Sequence, residues 1–244
     1  MTERGVTANM PLLGRGDSGF ESRRSDQYDD NAGLVNRYNN SFPNCGGEFD
    51  SPIPHMKRLF IVHGWYGSPQ EPMISWLGKV GAEAGFETTV LEMPNPAVPT
   101  IDAWVKYLED NVYYVDQDTY FIGHSIGCQA ILRYLEGNKG SRLGGAIFIA
   151  PWIQLMNLET QEEQDIARPW IDRPIDFASI RSMGGKFVAI FSDDDKFVPL
   201  EANKEAFVKA LNPKVLIEHA RGHFSEEDGV VDVPVVVEEL KAWK

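Results

Sequence analysis

The segment 119–136 constrains the fold of this chain more than any other, because its apolar pattern predicts a strand followed directly by a helix. The apolar run from Tyr120 to Ile122 predicts a buried strand, and apolar residues at helical spacing after Ser125 predict an amphipathic helix. Between them the chain reads Gly-His-Ser-Ile-Gly, a G-x-S-x-G pattern centred on Ser125. This spacing predicts a sharp strand-to-helix turn with a serine at its apex.

The turn favours a reactive role for its serine. So tight a connection holds Ser125 in a strained backbone conformation with Oγ exposed above the end of the sheet, an arrangement known as a nucleophile elbow. Gly123 and Gly127 lack the Cβ atoms that would collide there. The following helix directs its free N–H groups at any anion formed beside the serine. Ser125 is therefore the predicted nucleophile.

A serine nucleophile needs a base and a carboxylate, and in sites of this type both follow the serine in the chain. His223 comes after the last predicted strand and is preferred to His219, which is assigned to that strand. Three acids, 193–195, follow the strand before it, and their spacing does not distinguish them. The two that do not face the site are expected to cap the next helix or face water.

The oxyanion of a tetrahedral intermediate needs two hydrogen-bond donors. One predicted donor is the backbone N–H of Ile126, the residue after the nucleophile. The other is expected in the Gly-rich loop 63–68 after the first strand, with the Trp65 amide preferred to that of Tyr66. The alternative for this loop is an ordinary turn in which His63 is a packed residue.

From residue 57 onward, β-rich segments alternate with helical patterns, which predicts parallel βαβ units. The expected fold is a three-layer α/β fold with an open six-stranded parallel sheet and helices on both faces. Strands are predicted at 58–63, 87–91, 119–123, 145–150, 187–192 and 214–219. Helices are predicted at 72–84, 101–112, 126–137, 200–211 and 233–243.

The longest interruption of this alternation, 151–176, follows the fourth strand and is predicted to be a lid-like insertion over the site. Trp152, Met156 and Trp170 are candidates for an apolar acyl pocket, although they would equally serve to pack the insertion against the domain. The residues expected to contact substrate are His63, Gly64, Tyr66, His124, Trp152 and Trp170.

Composition excludes several classes of function. The net charge of −13, from 36 acidic and 23 basic residues, disfavours nucleic acid and anionic membrane as partners. No G-x-G-x-x-G follows a predicted strand, and the acids at 193–195 lack the spacing of a calcium loop, so no cofactor or metal is expected. Of the two cysteines, Cys128 is predicted to be a small buried side chain.

The first 55 residues differ from the rest. They are rich in Gly, Asn, Ser, Asp and Arg without apolar periodicity, which predicts a mostly disordered extension before a domain at 56–244. Neither a secretory leader nor a span of transmembrane length is recognisable, so a cytoplasmic setting is expected.

Several motifs, taken together, resemble the α/β-hydrolase superfamily, and within it the small serine hydrolases related to retinoblastoma-binding protein 9 and the YdeN-like proteins. The resemblance covers about residues 56–243 and rests on Phe-Ile-Val-His-Gly-Trp at 60–65, Met-Pro-Asn-Pro at 93–96 followed by Trp104, the elbow, Asp-Lys-Phe-Val-Pro at 195–199 and Gly-His-Phe at 222–224. It implies a compact hydrolase fold, a Ser-Asp-His triad and small ester-like acyl substrates.

The resemblance also implies that Asp195 is the triad acid, with Asp194 as the next choice. Lys196 stands where a proline is usual in that family, and the Leu-x-Cys-x-Glu motif for retinoblastoma-protein binding is absent, so that partner is not expected. The predicted function is hydrolysis of a small-molecule ester with a short to medium acyl group. The alternatives are an inactive interaction protein with this fold, and a peptidase or lyase on the same scaffold.

Overall fold

A computed structural model describes residues 56–243, and the prediction for residues 1–55 lies outside this range. Six strands and seven helices alternate along these residues. The strands are β1 (Arg58–Val62), β2 (Glu87–Leu91), β3 (Thr119–His124), β4 (Gly145–Ile149), β5 (Lys186–Ser192) and β6 (Lys214–Glu218). The helices are α1 (Pro72–Glu83), α2 (Ile101–Asn111), α3 (Ile126–Gly137), α4 (Gln161–Asp172), α5 (Phe177–Ser182), α6 (Leu200–Leu211) and α7 (Val235–Ala242).

The six strands form one sheet in the order β2-β1-β3-β4-β5-β6, and every neighbouring pair is parallel. The central strands β3 and β4 are buried along their whole length, as expected for strands covered on both faces. The chain reverses its direction of travel across the sheet between β1 and β3. A crevice opens at the carboxyl ends of the strands at such a switch point, and Ser125 and the 63–68 loop lie there.

Helices cover both faces of the sheet, which gives the predicted three layers. Alternate β1 residues divide between the two faces: Leu59 and Ile61 pack with α1 and α7, and Phe60 and Val62 pack in the other core. That second core contains α2 and α3, the helix that follows Ser125. Because α3 is almost wholly buried, the backbone that carries Ser125 has little freedom to move.

All six predicted strands and all five predicted helices are found, with ends that differ by at most two residues. The predicted insertion 151–176 is not irregular throughout, because it contains α4 and the sequence leads directly into α5. A capping box between Thr160 and Glu163 begins α4, and Pro169 lies inside it. A proline in the helix and few apolar residues obscured the periodic pattern from which helices are predicted.

Two further expectations concern Cys128 and membrane-spanning segments. Cys128 is fully buried, and its Sγ lies 3.2 Å from the Gly123 carbonyl oxygen, which confirms its predicted environment. Burial raises the pKa of the Cys128 thiol well above its ordinary value. Within residues 56–243, none of the helices is long and apolar enough to cross a membrane.

Candidate active site

The turn between β3 and α3 has the strained geometry that its sequence predicts. Ser125 has φ 52° and ψ −119°, a conformation that non-glycine residues rarely adopt. A Cβ at Gly127 would lie 2.5 Å from the Val62 carbonyl oxygen, and one at Gly123 would lie 2.9 Å from the Cys128 nitrogen. Gly127 is therefore required by the close packing of this turn against the end of β1, and Gly123 by its close packing against the first turn of α3.

The structure brings Ser125, His223 and Asp195 together in one hydrogen-bonded chain. Nε2 of His223 lies 2.8 Å from Ser125 Oγ, and Nδ1 of the same ring lies 2.8 Å from Asp195 Oδ2. The Asp195 side chain is only 2% exposed, and its Oδ1 accepts hydrogen bonds from the amides of Phe197 and Val198. With Nδ1 donating to the carboxylate, Nε2 is left as an acceptor for the serine proton.

The neighbouring acids hold the loop that carries His223. Asp194 Oδ1 accepts hydrogen bonds from Ser192 Oγ at 2.6 Å and from the Gly222 amide at 2.8 Å. Asp193 accepts from the Ala220 amide and pairs with His219, whose ring is exposed. Neither acid caps α6, but both are exposed to solvent, which was the other expected outcome, and both also accept hydrogen bonds from the loop 220–222.

Two backbone amides in the segments next to Ser125 have no internal partner. In the described part of the chain, neither the Trp65 amide nor the Ile126 amide donates a hydrogen bond to another group. Ile126 is the first residue of α3, where an N–H precedes the intrahelical bonds. The Tyr66 amide donates to the Pro96 carbonyl and is thereby unavailable, which favours Trp65 as the second donor.

A cavity of about 400 Å³ opens above Ser125 and His223. Its walls are mainly aromatic and aliphatic, formed by Trp65, Tyr66, Met73, Trp152, Leu155, Leu158, Phe197 and Phe224. Carboxylates also line it, namely those of Glu71, Glu163, Glu226 and Glu227. Among residues 56–243 there is no cluster of three His, Cys, Asp or Glu side chains placed to hold a metal ion.

The family model for serine hydrolases matches residues 59–242 of this chain. The chain belongs to this serine hydrolase family. YdeN of Bacillus subtilis (strain 168) is 29% identical over 194 residues, which cover 77% of this chain and 96% of YdeN. Serine hydrolase RBBP9 of Rattus norvegicus is 26% identical over 169 residues, which cover 68% of this chain and 81% of RBBP9.

Solved structures give the same result for the fold. The crystal structure of the ydeN gene product from B. subtilis matches with a TM-score of 0.69 at 28% identity, over 77% of this chain and 98% of that one. Est1E from Butyrivibrio proteoclasticus, with ferulic acid bound, matches with a TM-score of 0.59 at 18% identity, over 78% of this chain and 89% of Est1E. The resemblance to the small serine hydrolases and the three-layer α/β-hydrolase fold are thus confirmed.

Three of the residues predicted to contact substrate in this serine hydrolase do line the cavity, namely Tyr66, His124 and Trp152. His124 is 6% exposed, and its Nε2 donates to the His223 carbonyl oxygen at 2.9 Å. Burial, the largest cause, and the neighbouring His223 lower the pKa of His124 to about 3. This ring is therefore neutral at ordinary pH.

His63 and Gly64, two of the residues predicted to contact substrate, are buried and are not among the residues that line the cavity. His63 is fully buried, accepts a hydrogen bond from the Met93 amide at 3.0 Å and donates to the Gly64 carbonyl oxygen. Burial lowers the pKa of His63, which keeps this ring neutral. It links the loop after β1 to the end of β2, so the packed alternative is correct for this residue.

Trp170, also predicted to contact substrate, is likewise not among the residues that line the cavity. Its ring is buried between the insertion and α2, where Nε1 donates to the Pro99 carbonyl oxygen and the ring meets Trp104 edge to face. Arg133 donates to the Trp170 carbonyl oxygen from α3. Met156 is 38% exposed and lies outside the cavity wall. The insertion instead contributes Leu155 and Leu158 to the cavity wall. The sequence prediction missed both residues, and the only signal that could have identified them is an apolar side chain within a polar segment.

Proposed function

We propose that this serine hydrolase cleaves small carboxylic esters through a covalent acyl-enzyme on Ser125, with His223 as general base and acid and Asp195 as the carboxylate that orients it. The observation that carries the proposal is the single imidazole placed 2.8 Å from Ser125 Oγ and 2.8 Å from Asp195 Oδ2. Contacts of this length allow proton transfer without rearrangement of the side chains.

In the first half-reaction, Ser125 Oγ attacks the ester carbonyl carbon while His223 Nε2 accepts the hydroxyl proton. The carbonyl electron pair moves onto oxygen, and the free amides of Trp65 and Ile126 stabilise that charge. As the intermediate collapses, the bond to the alcohol oxygen breaks and His223 returns the proton to the departing alcohol. The acyl group remains as an ester of Ser125.

In the second half-reaction, His223 removes a proton from water, which attacks the acyl carbonyl. The new intermediate expels Ser125 Oγ, which regains the proton from His223, and the carboxylic acid leaves. Asp195 accepts the Nδ1 hydrogen bond throughout and stabilises the imidazolium that forms twice. Every proton and electron pair is accounted for by ester, water and these side chains.

The cavity supports small substrates with short to medium acyl groups. Its volume of about 400 Å³ is at the lower end of the range for small-molecule sites. The walls near Ser125 are aromatic and aliphatic, which suits an acyl chain.

The test is hydrolysis of p-nitrophenyl butyrate by purified protein and by Ser125→Ala, with Ser182→Ala as a control at an exposed serine of α5. We expect Ser125→Ala to lose at least about a thousandfold in kcat with unchanged melting temperature. A fluorophosphonate probe should modify Ser125 alone, located by peptide mass spectrometry. Turnover that persists in Ser125→Ala, or a folded protein that the probe does not label, would refute the mechanism and favour an inactive interaction protein.

A further inference from the structure

The cavity above Ser125 has an unusual balance of charge for an ester site. Its four carboxylates come from three separate parts of the chain: Glu71 at the start of α1, Glu163 in the first turn of α4, and Glu226 and Glu227 after β6. None of the cavity-lining residues in the range 56–243 is lysine or arginine. Any ligand that reaches Ser125 therefore enters a region of negative potential.

The Glu71 carboxylate lies against the loop 63–68, which contains the proposed oxyanion donor. Glu71 immediately precedes α1, and its Oε2 lies 3.1 Å from the position that a Cβ on Gly67 would take. The side chain is partly buried beside the backbone of Ser68. The same loop supplies the Trp65 amide, so Glu71 lies on the wall that a bound substrate must face.

Among the described ion pairs of residues 56–243, none involves Glu71. Burial, the largest cause, and the negative charge of Glu226 raise the pKa of Glu71, and only the Ser68 amide opposes this. A ligand with a positive group would stabilise the ionised carboxylate, whereas an anionic ligand would be repelled.

Aromatic rings in the same cavity suit the same kind of group. Trp65 and Tyr66 stack with their ring planes 7° apart, and both line the cavity beside Glu71. Phe197 packs edge-on against the His223 ring on the other side of the nucleophile. Aromatic faces attract ammonium groups, and the attraction strengthens as the group loses water.

We propose that the substrates of this site are esters that carry a positively charged ammonium group, and that Glu71 is the residue that selects for it. The Glu226 and Glu227 carboxylates at the exposed rim add to the attraction over a longer range. The inference rests on the proposed function, since it concerns which ester reaches Ser125. Glu71 acts as a specificity residue and takes no part in proton transfer.

The experiment compares three acetyl thioesters of similar size at pH 7.5. They are acetylthiocholine, its uncharged isostere S-(3,3-dimethylbutyl) thioacetate, and the anionic 3-(acetylthio)propanoate. We expect kcat/KM to be about tenfold higher for the cation than for the isostere, and lowest for the anion. The reason is that the Glu71 carboxylate attracts the cation and repels the anion. The preference should shrink as salt is raised, because the rim carboxylates are exposed to solvent.

Glu71→Gln keeps the size and the hydrogen-bonding capacity of the side chain but removes its charge. We expect it to lower the ratio of kcat/KM for acetylthiocholine over its isostere by about fivefold, which leaves the smaller preference supplied by the rim carboxylates. Glu205→Gln, on the exposed face of α6, makes the same change in net charge far from the cavity lining and should leave the ratio unaltered.

The outcomes separate the two proposals. Equal rates for the cationic and uncharged thioesters, or a ratio that Glu71→Gln leaves unchanged, would overturn the inference while ester hydrolysis stands. If no thioester or p-nitrophenyl ester is hydrolysed and the fluorophosphonate does not label Ser125, the proposed function fails and the inference falls with it. Parallel losses in Glu71→Gln and Glu205→Gln would identify a general charge effect and also overturn it.

Discussion

His124 Nε2 donates a 2.9 Å hydrogen bond to the backbone carbonyl oxygen of His223, so the residue that precedes the nucleophile supports the main chain of the proposed base. The centroids of the His124 and His223 rings lie 5.3 Å apart, and His124 is almost completely buried. Its other nitrogen, Nδ1, has no partner within the described residues. The elbow thus positions the base through a side chain as well as presenting Ser125 to it.

Replacement of His124 should consequently disturb the base without removing it. In His124→Leu the His223 carbonyl oxygen loses its hydrogen-bond donor. An unsatisfied buried acceptor costs about 1–3 kcal/mol, and we expect the 222–224 loop to move so that this oxygen finds another donor. We expect kcat for p-nitrophenyl butyrate to fall about tenfold or more and the pH profile of kcat/KM to shift.

His124→Gln is the matched control, since its amide nitrogen reaches approximately the position of Nε2 and still donates. It should recover most of the activity and the wild-type pH profile. Equal losses in the Leu and Gln variants would show that the ring itself, and not its hydrogen bond, is what the site requires.

The pKa of His124 also predicts how stability depends on acid. The folded-state pKa is about 3 and the ordinary value is 6.5, so between these pH values the unfolded chain takes up a proton that the folded chain does not. The free energy of unfolding must then fall as pH decreases through this window, by about 3 kcal/mol from this group at pH 4.

Urea titrations at pH 7 and pH 4 would measure this contribution. We expect His124→Leu to lose about 3 kcal/mol less than the wild type between the two pH values. His219→Gln serves as a contrast, because His219 is exposed and its hydrogen bond with Asp193 raises its pKa, which gives its contribution the opposite sign. An unchanged pH dependence in His124→Leu would contradict a buried neutral imidazole.

The two neighbouring acids should give different phenotypes. In Asp195→Asn the amide can donate to Nδ1 of His223 and so favour the wrong tautomer, and we expect kcat to fall by at least about a hundredfold with little loss of stability. Asp194→Ala removes the acceptor of the Ser192 hydroxyl and the Gly222 amide, so it should lower the melting temperature and reduce kcat less. The reverse order of the two kcat losses would make Asp194 the acid.

Much of the fold was predictable because local pattern and global topology agree along this chain. An apolar run such as 60–62 specifies one strand, and an amphipathic segment such as α3 specifies one helix. Regular alternation of strands and helices then leaves few possible topologies. The α4 helix was missed because its stability derives from a capping box and from buried Trp170, and only the former is local in sequence. Tertiary contacts between distant segments have no such local signature.

Site residues were predictable where the reaction chemistry fixes their positions in the sequence. They were not predictable where tertiary packing determines the direction of the side chain. The positions of Ser125 and His223 follow from where strands end, whereas the orientations of His63 and Trp170 depend on partners at Met93 and Pro99 that no spacing identifies. Glu71 gave no signal either, because a single glutamate before a helix is common. Its place in the cavity depends on the path of the loop that precedes it.

Gly127 permits a test of the steric basis of the whole site. A Cβ there would lie 2.5 Å from the Val62 carbonyl oxygen and 2.6 Å from that of His63, and both are backbone atoms that cannot rotate away. Gly127→Ala must then separate α3 from the end of β1, which moves Ser125 away from the Trp65 amide. We expect the free energy of unfolding to fall by about 1–3 kcal/mol. We also expect kcat at 25 °C to fall by more than the increase in the unfolded fraction accounts for.

Gly137, the last residue of the same helix, provides the comparison, because a Cβ there would meet no atom within 4 Å. Gly137→Ala should leave activity unchanged and, since alanine is the better helix former, raise the free energy of unfolding by up to about 1 kcal/mol. Urea unfolding and p-nitrophenyl butyrate turnover, measured on both variants, check the pair. If Gly127→Ala were as stable and as active as the wild type, contact between α3 and β1 would not be what fixes the elbow, and the strain at Ser125 would need another source.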